Sequence, residues 1–330
     1  MIVTVTANPS LDRTIELTSA LDRGAVQRSV ASSEQPGGKG VNVSRALIAS
    51  GLETIAVLPG DASDPMLVAL RAEQTPTAGL PIAGLPIAGL PIAGRVRSNI
   101  TIAEPDGTTT KINEPGPQLT AADDAALIDL VVSHALEAEW VVLAGSLPPG
   151  LSPDFYVRVV LAIRAATDGP LPRIAVDSSG APMKALIDSG VGVDLIKPNA
   201  EELAEITGLP DTFESDPDAA AAAAFGLIAR GCRAVLATLG SRGALLVTAD
   251  ETWRATMPPI AAKSTVGAGD ASLAGYLVAD QRGDTAERRL AQAVAHGAAA
   301  ASLPGSTMPR LDQTHPETAD VQPLGRPAAR

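Results

Sequence analysis

The chain has 330 residues, 45 % apolar and 19 % charged, a composition that excludes a disordered chain and is long enough for one large α/β core. Its formal net charge of −12 disfavours generic binding to nucleic acid or to anionic lipid surfaces. Cys232 is the single cysteine, which excludes an internal disulfide and a multi-cysteine metal site. Met1 to Ala7 carries no basic-then-apolar leader, and no run of about 18 apolar residues follows, so a cytoplasmic protein without a membrane partner is expected.

Short β-branched runs fall at Ile2 to Thr6, Thr54 to Leu58, Trp140 to Leu143, Arg173 to Val176, Val193 to Ile196 and Ala234 to Thr238. Stretches with helical character separate them, which predicts one α/β domain over residues 1–310, a mostly parallel central sheet with helices on both faces. Segment 12–35, with alternating Thr14, Glu16 and Thr18, is expected to add strands to a small β-sheet lid. Its other segment, 94–114, carries alternating runs around Asp106-Gly107, a two-residue hairpin signal. Residues 75–94 hold LPIAG in three tandem copies after a related TPTAG, and periodic Pro and Gly predict a surface loop in which the repeat is a neutral expansion. Ser215, Asp216 and Pro217 predict the start of an amphipathic helix through Ala219 to Ala224. Residues 311–330, rich in Pro, Thr and charge, are expected to form a loosely held tail.

Two segments carry the chemistry. In KSTVGAGDASLAG, Lys263 to Gly275, a glycine turn opens a helix of small residues, so the N–H groups of Gly267, Ala268 and Gly269 can face an anion where the helix dipole also favours it. A carboxylate, Asp270, beside such a site calls for a task such as accepting a hydroxyl proton, although a plain N-capping Asp reads the same way in isolation. In PGGKGVNVSRAL, Pro36 to Leu47, Gly38 permits close ligand approach, Lys39 offers charge to a phosphate, and Asn42, one turn on, offers a donor and an acceptor. Neither segment is a Walker A loop or a GxGxxG turn, which disfavours P-loop enzymes and nicotinamide dehydrogenases.

Together these segments resemble the two signatures of the ribokinase-like (PfkB) carbohydrate kinases. The likeness also takes in TVTANPSLDRTIEL, VRSNITI, AGSLPPG, VDSSG, LIKPNAEEL and TLGSRGALLV, in one order along nearly the whole chain. The GGKG form is similar to that of the phosphosugar branch. The resemblance implies a ribokinase-like fold and transfer of the ATP γ-phosphoryl to fructose 1-phosphate at C6, with tagatose 6-phosphate or fructose 6-phosphate as alternative acceptors. Asp270 would be the base and Gly267, Ala268 and Gly269 the anion hole. Asp12, Gly38 and Asn42 would hold sugar hydroxyls, while Lys39, Arg97 and Ser146, with Arg28 as a weaker candidate, would hold the sugar phosphate. Lys197, Asn199, Glu202, Thr238, Gly240, Gly243 and Gly269 would serve ATP, with Glu202 organising Mg²⁺ indirectly and His296 and Gly297 near the adenine. A homodimer through the lid sheet is the implied partner. A sensor that had lost catalysis would show damage to GAGD or to NxxE, and both are intact.

Overall fold

The structure is a computed structural model that describes residues 1–75, 82–83, 85–166 and 169–325. In chain order its first elements are β1 (Ile2–Thr6), β2 (Ser10–Leu17), β3 (Ser29–Gly37), α1 (Lys39–Ala49), β4 (Thr54–Pro59), α2 (Pro65–Ala72), β5 (Gln74–Thr75), β6 (Ile82–Ala83) and β7 (Ile87–Leu90). There follow β8 (Arg97–Ala103), β9 (Thr109–Asn113), α3 (Ala121–Ala135), β10 (Trp140–Ala144), α4 (Phe155–Ala165), β11 (Arg173–Asp177), α5 (Gly180–Ser189), β12 (Leu195–Ile196) and α6 (Ala200–Thr207). The chain ends with α7 (Pro217–Ile228), β13 (Ala234–Thr238), β14 (Ala244–Thr248), β15 (Thr252–Thr256), α8 (Ala268–Gln281), α9 (Ala286–Ala301) and β16 (Asp320–Leu324).

The main sheet runs β16-β15-β14-β13-β12-β11-β10-β1-β4-β7, parallel from β7 to β13 and antiparallel beyond. Strands buried on both faces read as continuous apolar runs, and β1 and β10 are buried at every position. Alternation sends Val3 and Val5 to a core shared with α3, α4, α5, α6 and α7, and Ile2 to the opposite core with α1, α8 and α9. A third cluster joins Val41 and Ile48 of α1 to Met66, Leu67 and Leu70 of α2. The α7 start follows its signal, with Asp216 accepting from the Ala219 N–H and Pro217 in the first turn.

The lid is a separate sheet in the order β3-β2-β8-β9, with β2 and β8 parallel. Its hairpin departs from the two-residue expectation: Glu104 and Thr108 close the loop, the Gly107 N–H donates to the Glu104 carbonyl, and Gly107 has φ 90°. Pro105 at the first corner and a left-handed Gly107 give a three-residue turn, for which Asp-Gly is equally suited.

Two expectations are corrected. The tail is not loose over its described part, 311–325: residues 320–324 form β16 and pair with β15 along its whole length, and Thr314 is buried against Gln292 of α9, while 326–330 lie outside the described residues. Residues 75–94 are not simply loop, since Ile87–Leu90 pairs parallel with β4 as an edge strand. Leu85, 4 % exposed, packs in the α2 cluster, so apolar Leu and Ile at the last repeat copies override the Pro and Gly punctuation. The remainder of the repeat, 76–81 and 84, lies outside the described residues. Among the described residues, no helix is long and apolar enough to cross a membrane.

Candidate active site

Chemistry-bearing residues gather where the parallel strands end, the place where α/β sheets present ligands to loops and helix starts. Asp177 closes β11 and Lys197 follows β12, both nearly inaccessible, with Lys197 Nζ 3.1 Å from Asp177 Oδ2. Lys39, the first residue of α1, reaches across to Asp177 Oδ1 at 2.8 Å and to Glu202 Oε1 at 3.0 Å. Burial opposes the charge on Asp177 and on Lys39, but the pairing prevails: Lys197 and Lys39 hold the Asp177 carboxyl below the usual range, and Asp177 and Glu202 hold the Lys39 ammonium above it.

Asn199 and Glu202 form a capping box at the start of α6, the Asn199 side chain accepting from the Glu202 N–H at 2.8 Å and Glu202 Oε2 from the Asn199 N–H at 2.9 Å. The second oxygen of Glu202 is thereby turned to Lys39. A helix cap thus doubles as a carboxylate aimed into the cleft.

Gly267 caps α8 at φ 76°, a left-handed conformation natural to glycine, and a Cβ there would meet Met308 Cε at 2.6 Å. Among the described residues, the Gly267 and Gly269 N–H groups find no partner, whereas Ala268 donates to the Thr265 carbonyl at 3.3 Å. Of the three N–H groups expected to face an anion, those of Gly267 and Gly269 are thus the unengaged ones among the described residues. Asp270, 7 % exposed in the first turn of α8, accepts from Asn42 Nδ2 at 2.9 Å. Burial, reinforced by Asp177, pushes the Asp270 carboxyl up to about 6, against the pull of Lys197, Lys39 and Asn42. A carboxylate poised there is a proton acceptor near neutral pH.

A cleft of ≈ 1150 Å³ opens beside these groups. Lys39, Lys197, Asn199, Glu202, Thr238, Gly240, Gly243 and the Gly267 to Asp270 turn line it, and Met257, Pro258, Ile260, Val294, Gly297 and Ala298 make an apolar part. Gly243, at φ 91°, lies so close to β15 that a Cβ would be 1.9 Å from the Ala255 carbonyl oxygen. His296 is absent from this lining. It is fully buried, bonded to Ser50 at 3.0 Å and to Gln292 at 2.9 Å, and burial pushes its imidazole down to about 4. The expectation that placed it near adenine is corrected: it sits on the face of α9 turned to α1, a core position one residue from Gly297.

The remaining candidates line the lid side. Asp12 on β2 accepts from Ser10 Oγ at 2.7 Å and Asn99 Nδ2 at 2.9 Å. Arg97 opens β8 opposite Ser10, half-buried, and donates from Nη1 to the Glu114 carbonyl at 3.2 Å. Asn8, just past β1, donates to Ser146 Oγ at 3.4 Å. Among the described residues, the buried Oδ1 of Asn8, Oδ1 of Asn99 and Nε of Arg97 have no hydrogen-bond partner. Gly38 is the N-cap of α1 between lid and cleft. Arg28 is exposed before β3 and is not brought to the cleft.

Sequence reasoning gave Asp177 no role, and it overlooked Asn8 and Asn99. A carboxylate ending a strand with an apolar interior, RIAVD, is the signal that marks Asp177; Asn8 and Asn99 carry no comparable one.

The sequence matches the family described as pfkB family carbohydrate kinase over residues 5–313. A relative from Haloferax volcanii named 1-phosphofructokinase is 34 % identical over 98 % of this chain and 99 % of its own. The ATP-dependent 6-phosphofructokinase isozyme 2 of Mycobacterium tuberculosis is 34 % identical over 92 % of this chain and 85 % of its own. The crystal structure of Escherichia coli phosphofructokinase-2 in complex with substrates and products superposes with a TM-score of 0.81 at 28 % identity, covering 94 % of this chain and 96 % of that one.

Proposed function

Since the chain belongs to the pfkB family of carbohydrate kinases, we propose that it transfers the γ-phosphoryl of ATP to the C6 hydroxyl of fructose 1-phosphate. The observation that carries this reading is Asp270: a buried carboxylate at the start of α8, lining the cleft and tied to Asn42. Ionised, it accepts the hydroxyl proton as the sugar oxygen bonds to the γ-phosphorus and the bond to the ADP oxygen breaks.

ATP takes the cleft, its base against Met257, Ile260 and Val294 and its phosphates toward the Gly267 and Gly269 N–H groups. Lys39, expected at the sugar phosphate, is better placed for the phosphoryl in transit, because its ammonium lines the cleft beside Asp177 and Glu202. The sugar lies under the lid, with Arg97 and Ser146 at its phosphate and Asp12, Asn99 and Asn42 at its hydroxyls. No group of three or more His, Cys, Asp or Glu among the described residues could cage a metal. Mg²⁺ carried on nucleotide phosphates and water needs only one or two carboxylates, and Glu202, which lines the cleft, would serve it indirectly, through water. Bound there, Mg²⁺ offsets negative charge on the phosphate oxygens.

Val30 on β3 and Ile112 on β9 are 61 % and 52 % exposed, support for a homodimer formed through the lid. A fructose 6-phosphate kinase is the second reading, favoured by the equal identity to the Mycobacterium tuberculosis protein. Asp270→Asn tests the base: a folded variant should lose at least about 100-fold in kcat, and near-full turnover would contradict the assignment.

A further inference from the structure

Asn42 holds the base through the NH₂ end of its amide, and the two ends of an amide differ little in shape, so only partners decide which end faces Asp270. On the far side of Asn42 stands Arg45, one turn along α1 and 8 % exposed. Its Nη1 points at Asn42 Oδ1 at 3.5 Å and donates to the Ser306 carbonyl at 3.3 Å and, at 3.5 Å, to Ser306 Oγ. Its Nη2 pairs with Glu73, the C-cap of α2. Ser306 is in turn fastened to the lid, donating from Oγ to Gln35 Oε1 on β3 at 2.9 Å.

Arginine has donors and no acceptor, and an ionised carboxylate has acceptors and no donor. An amide between them satisfies both in one orientation, oxygen toward Arg45 and NH₂ toward Asp270. Reversed, it would set a carbonyl oxygen against a carboxylate.

We propose that Arg45, braced by Glu73 and Ser306, is a positioning residue for phosphoryl transfer, fixing the Asn42 amide so that it donates to Asp270. The inference rests on the reading of Asp270 as the base. Besides Asn42, the groups that bear on Asp270 are Asp177 from β11, Lys197 after β12 and Lys39 from α1; none of them is an amide that can be reversed. Arg45 is not among the residues that line the cleft, and of its side-chain partners Asn42, Ser306 and Glu73 only Asn42 is bonded to Asp270.

The test is steady-state kinetics from pH 5 to 9 on Arg45→Met, Arg45→Lys, Asn42→Ala and the Arg45→Met/Asn42→Ala double variant, with Asp270→Asn alongside. Arg45→Met should lower kcat between about 10- and 100-fold, leave KM for ATP in place and move the acidic limb of kcat to higher pH. Arg45→Lys, which keeps a donor without an acceptor, should recover part of the loss. In the Asn42→Ala background the Arg45→Met effect should vanish, because the group it orients is gone. Losses that multiply, or an unmoved acidic limb, would overturn the inference while an inactive Asp270→Asn left the base assignment standing. An active Asp270→Asn would instead remove the base and the inference with it. Should Arg45→Met fail to fold, Glu73→Gln, which loosens Arg45 from outside, replaces it: a kcat loss seen with Asn42 and absent without it supports the role, and equal losses in both backgrounds refute it.

Discussion

Asp270 and His296 are both buried titratable groups, displaced in opposite directions from their ordinary values. Raised to about 6, Asp270 is protonated in the folded chain at pH values where the unfolded chain has already lost that proton. It therefore favours folding at acidic pH, and this contribution is lost as pH rises through 6. Activity should run the other way, because the ionised form is the proposed base: kcat should rise through about pH 6 and then level. Asp270→Asn should consequently be more stable than the wild type at pH 8, by roughly 1–3 kcal/mol, and so melt higher, and the gain should fade below about pH 4. Thermal melts across that range check it; a variant that melts lower at pH 8 contradicts it. His296 is neutral when folded, so its contribution is present above about pH 6.5 and lost as pH falls toward about 4.

At the scale of elements, the α8 and α1 starts were legible because glycine turns that open helices have a recognisable form, and Asp270, Lys39 and Asn42 follow directly from them. The strands of the main sheet were legible for the same reason, as apolar runs with turns between. What escaped detection depends on long-range pairing. Nothing local to DVQPL says that β15 has a free edge, and nothing local to RIAVD says that Asp177 will meet two lysines from elsewhere in the chain. The repeat is the sharpest case, since its Pro and Gly spoke for a loop while β4 offered its final copies a place in the sheet. Leu85→Ala should therefore cost about 2–4 kcal/mol in denaturant unfolding, where a neutral surface loop would give almost nothing. Gly243→Ala, forced against the Ala255 carbonyl, should raise KM for ATP by roughly tenfold, ~1.4 kcal/mol, with a smaller change in KM for the sugar.

At the scale of the molecule, the cleft residues and the lid-side residues form two distinct groups. The main sheet supplies the proposed nucleotide cleft with a helix N-terminus and a lysine pair, and the lid side supplies polar atoms of Asn8, Asn99 and Arg97 that are unpaired among the described residues. Their separation predicts separable defects: Arg97→Ala should raise KM for the sugar phosphate far more than KM for ATP, and equal effects would contradict its place at the sugar. The most direct measurement of the central claim is ADP release with ATP-Mg²⁺ and, in parallel, fructose 1-phosphate, fructose 6-phosphate, tagatose 6-phosphate and unphosphorylated sugars. The account predicts the highest kcat/KM with fructose 1-phosphate and little turnover without a phosphate on the sugar. Preference for a 6-phosphate would reverse the sugar in the site and contradict the assigned acceptor, and absence of turnover with every sugar would contradict the kinase reading itself.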